Sequence, residues 1–194
     1  MPFFSVIIPT YNRENFISAT INSVLEQSFS DFEILIIDDG STDNTFTLVD
    51  KIANGEPKIK YFKIKNSERG AARNFGIENA NGEFLVFLDS DDFFKKDHLK
   101  HLYHLIQNNP KINFFASKYD FIENGVVSHA PIFNLSESII DYKTLLRGNP
   151  FACNICVRRK NMNLIKFPED RKYSGMEDWI FIFSNLWSQD LFLS

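Results

Sequence analysis

Cysteine is scarce in this 194-residue sequence, and the two present, Cys153 and Cys156 in "FACNICVRR", have no second pair with which to complete a zinc site. If that stretch is a strand, residues three apart face opposite sides and cannot chelate together. Positive charge is also short: 21 Lys and Arg stand against 25 Asp and Glu, for a net charge of −4, which leaves no basic footprint for a nucleic acid polymer. Free nucleotides stay open, because a metal can supply the missing charge. No apolar run approaches the roughly 18 residues that span a bilayer, and "MPFFSVIIPTYNRENF" lacks the basic start and small-residue cleavage site of a signal peptide. The expectation is therefore a cytoplasmic protein with no transmembrane segment. "PTYNREN" lacks the glycine-rich loop of dinucleotide, P-loop and sugar-nucleotide-forming sites.

Aromatic residues are plentiful, with 21 Phe, and apolar residues at 44% match ordinary globular usage. The length fits one large domain, 1–194, that buries roughly 70% of its unfolded surface. No internal repeat, low-complexity tract or linker divides it.

The order of elements follows from pattern. "FFSVIIP" is a continuous apolar run stopped by proline, the mark of a strand buried on both faces. In "NRENFISATINSVLEQSF", Ile17, Ile21, Val24 and Leu25 form one helical stripe, with Asn12 as a plausible cap. "FEILIIDD" is a second buried strand, and "GSTDNTFTLVDKIAN" a second helix capped by Ser41 or Thr42. The rhythm continues through "IKYFKI", "ERGAARNFGIENA", "EFLVFL" and "KKDHLKHLYHLIQNN". Such alternation implies an α/β fold with right-handed crossovers and a mostly parallel central sheet covered by helices. Beyond Pro110 a hairpin about "ENG", a short helix at "ESIIDYKTLLRG", a strand at "ACNICVRR" and a final helix at "EDWIFIFSNLW" read as a mixed extension. "SQDLFLS" starts a further strand, and its abrupt stop reads as a chain cut short of its natural end.

In an open parallel sheet the ligand lies beyond the carboxyl ends of the strands, where loops diverge and helix N-termini point inward. Those ends here carry "PTYN", "DDGS" and "DSDD", so an aromatic ring and two acidic groups converge on one edge. Carboxylates repel phosphate, and a hard cation resolves the conflict: Mg²⁺ or Mn²⁺ takes one or two carboxylates and fills its other positions with water and phosphate oxygens. Asp89 and Asp91 are both usable for that. The competing reading of "DSDD" is an acidic turn before a helix, and Glu177 and Asp178 in "GMEDW" are equally the acids a helix N-terminus favours. His98, His101 and His104 read as an exposed helix face. Phe93, Phe94, Phe114 and Phe115 read as core, and Arg158, Arg159 and Lys160 as a solvated strand end.

Taken together, "SVIIPTYNRENFISATINSVLEQSFSDFEILIIDDGSTDNT", "RGAARNFGI", "FLVFLDSDD" and "MEDWIF" resemble the family 2 glycosyltransferases, inverting enzymes with the GT-A fold, over nearly the whole chain. The resemblance implies a nucleotide-sugar donor, most often UDP-linked, a divalent metal (Mn²⁺ or Mg²⁺) and a glycan or lipid-linked acceptor, presented in some cases at the inner membrane face. It makes residues 1–110 the donor-binding half and 111–194 the acceptor-side half. Pro9, Thr10 and Tyr11 would wall the nucleoside pocket, Asp39 would accept a hydrogen bond from the base, and Arg73 would help position the nucleotide. Asp89 would face the ribose, Asp91 would hold the metal, and Asp178 would be the catalytic base. Asn12, Glu14, Asp38, Ser90, Asp92 and Glu177 would support them. The family's acceptor side usually draws on chain beyond the "ED" helix, so the alternative is a nucleotide-sugar-binding domain without transferase activity. Haloacid-dehalogenase-type phosphotransferases also place Asp-x-Asp after an apolar strand, but Asp92 and Phe93 stand where those enzymes continue with a small residue and then Thr or Val.

Overall fold

A computed structural model describes residues 1–130, 138–140, 142–147, 149–160, 164–186 and 190–193. Its strands are β1 (Phe4–Thr10), β2 (Phe32–Asp38), β3 (Ile59–Lys63), β4 (Phe84–Phe87), β5 (Phe114–Ala116), β6 (Asp120–Glu123), β7 (Val126–His129), β8 (Ser138–Ile140), β9 (Ile155–Arg158) and β10 (Leu191–Leu193). The helices are α1 (Ile17–Leu25), α2 (Thr45–Ala53), α3 (Glu68–Asn79), α4 (His98–Asn108) and α5 (Glu177–Leu186). Eight strands form one sheet in the order β3-β2-β1-β4-β9-β5-β10-β8. The first four run parallel; β9 is antiparallel to both β4 and β5, and β8 is antiparallel to β10. This is the parallel sheet with a mixed extension that the alternating pattern requires.

Every residue of β1 and β2 is buried, the consequence of helices on both faces. On one face Val6, Ile8, Ile34 and Ile36 meet the apolar stripes of α1, α2 and α4. On the other, Ile7, Leu35 and Phe87 meet α3 and α5, with Phe167 stacked on Phe181 at 3.8 Å. Cys153 belongs to the second core and Cys156 to the first, so the two thiols are separated by the sheet, as strand alternation dictates. Helix α3 lies close on β1: a Cβ built on Gly76 would stand 2.4 Å from Cγ2 of Ile7. Gly76→Ala is therefore expected to cost about 1–3 kcal/mol through overpacking, read as a lower urea midpoint; an unchanged midpoint would contradict the close approach.

Several local expectations are corrected. Asn12 does not cap α1, whose first turn has no side-chain cap, and neither Ser41 nor Thr42 caps α2. These residues instead clasp two loops together. Asn12 N–H donates to Ser41 Oγ at 2.9 Å, Thr42 N–H donates to Asn12 Oδ1 at 2.9 Å, and Asn44 N–H donates to Glu14 Oε2 at 3.0 Å. The "ESIIDYKTLLRG" helix is replaced by β8 and a 3₁₀ segment, Tyr142–Arg147. The "ENG" hairpin forms with Asn124 and Gly125 both at positive φ (52° and 79°), the geometry of a two-residue turn. It stands as a separate two-stranded sheet, and the "PIF" that follows "VVSHA" lies outside the described residues. The "SQDLFLS" strand appears as β10. Of the histidines, His101 and His104 are exposed, but His98 is partly buried and stacks on Phe94 at 4.2 Å, and burial followed by the nearby His101 lowers its pKa to about 4. Phe93 is exposed, unlike Phe94, Phe114 and Phe115, because it follows the acidic turn outward. Among the described residues no helix is long and apolar enough to cross a membrane.

Candidate active site

Register alone brings the strand ends together: Thr10 pairs with Asp38 across β1 and β2, and Ile7 with Phe87 across β1 and β4. Beyond them opens a cleft of about 260 Å³ whose walls include Pro9, Thr10, Tyr11, Asp39, Asp89 and Asp91. Six of the residues singled out from sequence thus share one cavity, together with Ser90. Tyr11 is half exposed at the mouth, and Thr10 is buried with no hydrogen-bond partner for its Oγ1 among the described residues.

The two acids of "DDGS" have different tasks. Asp38 is buried beneath the loop, accepting from Ser41 N–H at 2.7 Å and from the Tyr61 hydroxyl. Asp39 turns toward α3, where it accepts from Ser67 N–H at 2.7 Å and Glu68 N–H at 2.9 Å. Burial raises the Asp39 pKa against the pull of these N–H groups, with the charges of Glu68 and Asp38 adding to the rise. Gly40 is at φ 84°, a left-handed conformation glycine adopts without steric cost.

The "DSDD" turn is held from α1. Thr20 Oγ1 donates to the Ser90 carbonyl at 3.0 Å and Phe94 N–H donates to Ser23 Oγ at 3.1 Å. Its three carboxylates meet unequal partners. Asp89 accepts from Arg73 Nη2 at 2.7 Å, whereas Asp91, its side chain 47% exposed, has only a loose 3.5 Å contact with Arg13 Nε. Asp92 has no cation of its own among the described residues, and burial, then the charges of Asp89 and Asp91, push its pKa up to about 6. Among the described residues no group of three His, Cys, Asp or Glu forms a metal cage. An open Asp91 beside Asp89, whose Oδ2 has no partner among the described residues, fits a hard cation that keeps water and phosphate oxygens as its other ligands.

Arg73 does not reach the cleft. It is 1% exposed and bridges Asp89 to Glu177, donating from Nη1 to Glu177 Oε1 at 2.8 Å. The guanidinium therefore ties the end of β4 to the start of α5. Asp178 follows Glu177 on α5, partly buried and outside the cleft wall. It accepts from Asn149 Nδ2 at 2.9 Å, and burial raises its pKa, with Glu177 and Asp89 adding to the rise while Trp179 N–H and Arg73 oppose it. Asp89 thus lies within electrostatic reach of both Asp92 and Asp178, and Tyr119 feels both Asp92 and Asp178.

Sequence reading missed Arg13, Arg69 and Arg171 in the cleft wall. Arg13 had a signal, two residues after Tyr11 in the same loop. Arg171 had none: it donates to Glu68 Oε1 at 2.6 Å across 103 residues of chain. Arg158 and Arg159 bond to Glu83 and the Gly82 carbonyl, at the end of β4 away from the cleft.

Comparison with known proteins gives consistent matches. An uncharacterized glycosyltransferase of Haemophilus influenzae is 36% identical over 171 residues, 87% of this chain and 67% of that protein. The Escherichia coli UDP-Glc:alpha-D-GlcNAc-diphosphoundecaprenol beta-1,3-glucosyltransferase WfaP is 33% identical over 187 residues, 92% of this chain and 68% of that protein. Among solved structures, Staphylococcus aureus TarS 1-349 in complex with UDP-GlcNAc superposes with a TM-score of 0.85 at 28% identity, covering all of this chain and 56% of that one. The fold is accordingly the GT-A type that the sequence motifs implied. The model of "Glycosyl transferase family 2" matches residues 5–165, which takes in every strand of the cleft, and so this chain belongs to glycosyl transferase family 2.

Proposed function

We propose that the chain transfers a sugar, with inversion, from a UDP-linked donor to a hydroxyl of a glycan or lipid-linked acceptor in polysaccharide or glycolipid synthesis. The observation that carries this reading is the convergence of Tyr11, Asp39, Asp89 and Asp91 on one cleft, with Asp178 joined to it through Arg73 and Glu177. Relatives named for UDP-Glc and UDP-GlcNAc favour the same donor class. Tyr11 stacks on the base and Asp39 accepts its N–H, while Asp89 takes a ribose hydroxyl on the oxygen that Arg73 leaves free. Asp91, with Asp89 beside it, would hold Mn²⁺ or Mg²⁺, which supplies positive charge for the departing diphosphate.

The reaction is an in-line displacement. The acceptor O–H bond breaks as its proton passes to the Asp178 carboxylate, the freed oxygen attacks the anomeric carbon, and the bond to the diphosphate breaks with its electron pair leaving on phosphate oxygen. We place the protein in the cytoplasm, where it can meet acceptors presented at the inner face of a membrane. Residues 1–110 supply most of the donor cleft, with Arg171 and Ser174 added from the acceptor-side half, 111–194.

The test is the melting temperature with UDP, GDP or CDP, each with and without Mn²⁺. A ligand at about 100 times its Kd stabilises by roughly 2.7 kcal/mol, several degrees for a domain of this size. The expected result is a shift for UDP that requires Mn²⁺ and vanishes in Asp91→Ala. A shift that survives in Asp91→Ala removes the metal assignment, and no shift with any nucleotide in folded protein removes the donor site. Nucleotide binding with no sugar transfer or donor hydrolysis would establish the binding domain without transferase activity.

A further inference from the structure

The segment ahead of β9 is constrained more than a connection between two elements requires. Asn149 precedes Pro150, which biases its backbone toward extended conformations. Its Oδ1 accepts from Phe151 N–H at 3.0 Å, and this fixes which end of the amide faces outward. Both Nδ2 hydrogens are then committed, one to the Ala152 carbonyl at 3.1 Å and one to Asp178 Oδ2 at 2.9 Å. Ala152 sits at φ 48°, a left-handed conformation that costs a residue with a Cβ on the order of 1 kcal/mol or more. Phe151 and Cys153 anchor the loop in the core, and from the other side Trp179 Nε1 donates to the Leu145 carbonyl at 3.0 Å, holding α5 against the 3₁₀ segment.

We infer that Asn149 is a positioning residue for Asp178, fixing the carboxylate on α5 by an oriented amide N–H so that its remaining lone pairs stay available to an acceptor hydroxyl. The inference rests on the proposed role of Asp178 as base. A neutral amide suits this role. A cation in the same place would hold the carboxylate equally well but would suppress its basicity, whereas an amide orients it with less effect on proton affinity. Among the described residues, the other charged or titratable groups facing Asp178 are Glu177 on its own helix, Arg73 from α3, Asp89 after β4, Tyr119 before β6 and Cys153 before β9. Arg73 is already shared between Glu177 and Asp89, so Asn149 is the side-chain donor that serves Asp178 itself among the described residues.

The experiment is a pH titration of the aspartate carboxyl ¹³C signals of the full chain, with Asp178 identified by the signal lost in Asp178→Asn. In Asn149→Ala the Asp178 midpoint is expected to rise by about one pH unit, a tenfold gain in proton affinity. Asn149→Asp keeps an acceptor for Phe151 N–H but replaces the donor to Ala152 and Asp178 with an acid; it should raise the midpoint further. An Asp178 midpoint unmoved in both variants, with melting temperatures like the parent's, overturns the inference. The base assignment is tested apart from it: UDP-GlcNAc hydrolysis at the parental rate by Asp178→Asn would overturn the role of Asp178 whatever the titration of the Asn149 variants shows.

Discussion

Asp178→Asn is expected to keep Mn²⁺-dependent UDP binding and to lose sugar transfer, with turnover reduced by about 10²- to 10⁴-fold, the range general-base help supplies. Asparagine matches aspartate in shape and can still accept from Trp179 N–H, which stands 2.7 Å from Oδ1, so the first turn of α5 should survive. What it loses is the lone pair that takes the proton. Donor binding should survive because the cleft walls do not include position 178. The pH dependence has a definite sign. Burial raises the Asp178 pKa, and the base acts only when deprotonated, so turnover should fall as pH drops through that raised pKa and sit on a plateau above it. Measured kcat for Asp178→Asn near the parental value, or an acid limb unchanged in that variant's residual activity, would remove Asp178 from the mechanism.

The second large effect is on stability. Arg73→Met should lower the melting temperature by roughly 10 °C, because removing one partner of a buried ion pair costs about 3–5 kcal/mol and each kcal/mol is worth some degrees at this size. The guanidinium is 1% exposed and Glu177 is 6% exposed on its side chain, so Glu177 would be left without its arginine and with little water. Asp89, 30% exposed, retains solvent and contributes less to the loss. The cause can be separated from lost packing against Phe167, whose ring lies 5.3 Å from the guanidinium carbon. Adding Glu177→Gln and Asp89→Asn to Arg73→Met removes the uncompensated charges and should recover a large part of the melting temperature. A single variant that melts within a couple of degrees of the parent, or a triple variant with no recovery, would show that the bridge is not what holds α5 to the sheet.

The same bridge gives "DSDD" its physical explanation. Three carboxylates in four positions need opposite charge, and the protein meets that need unequally: a buried arginine for Asp89, a loose arginine for Asp91 and, among the described residues, none for Asp92. Asp91 is left as the acid of this turn that lines the cleft with the looser counter-charge and the more exposed side chain, which is why the metal assignment rests on it.

By itself the sequence determined the sheet-forming runs, their alternation with helices and the chemistry at the strand ends. These are local properties: a strand buried on both faces is a continuous apolar run, and a parallel strand must end where its polar loop begins. "FSVIIPT" and "FEILIID" could be read because nothing far away had to be known. The tertiary structure alone decided what each polar side chain does there. Asn12 has the composition of a helix cap, yet it bonds a loop 30 residues on, and Arg73 sits in a donor motif, yet it spends both terminal nitrogens on acids 16 and 104 residues away. His98 looked like one more exposed ring until Phe94 was placed against it. Asn149 carried no motif at all. Periodicity records which face of an element is buried, but a hydrogen bond between distant segments leaves no period in the chain, so partners across the cleft become visible only when the fold has brought them within about 3 Å.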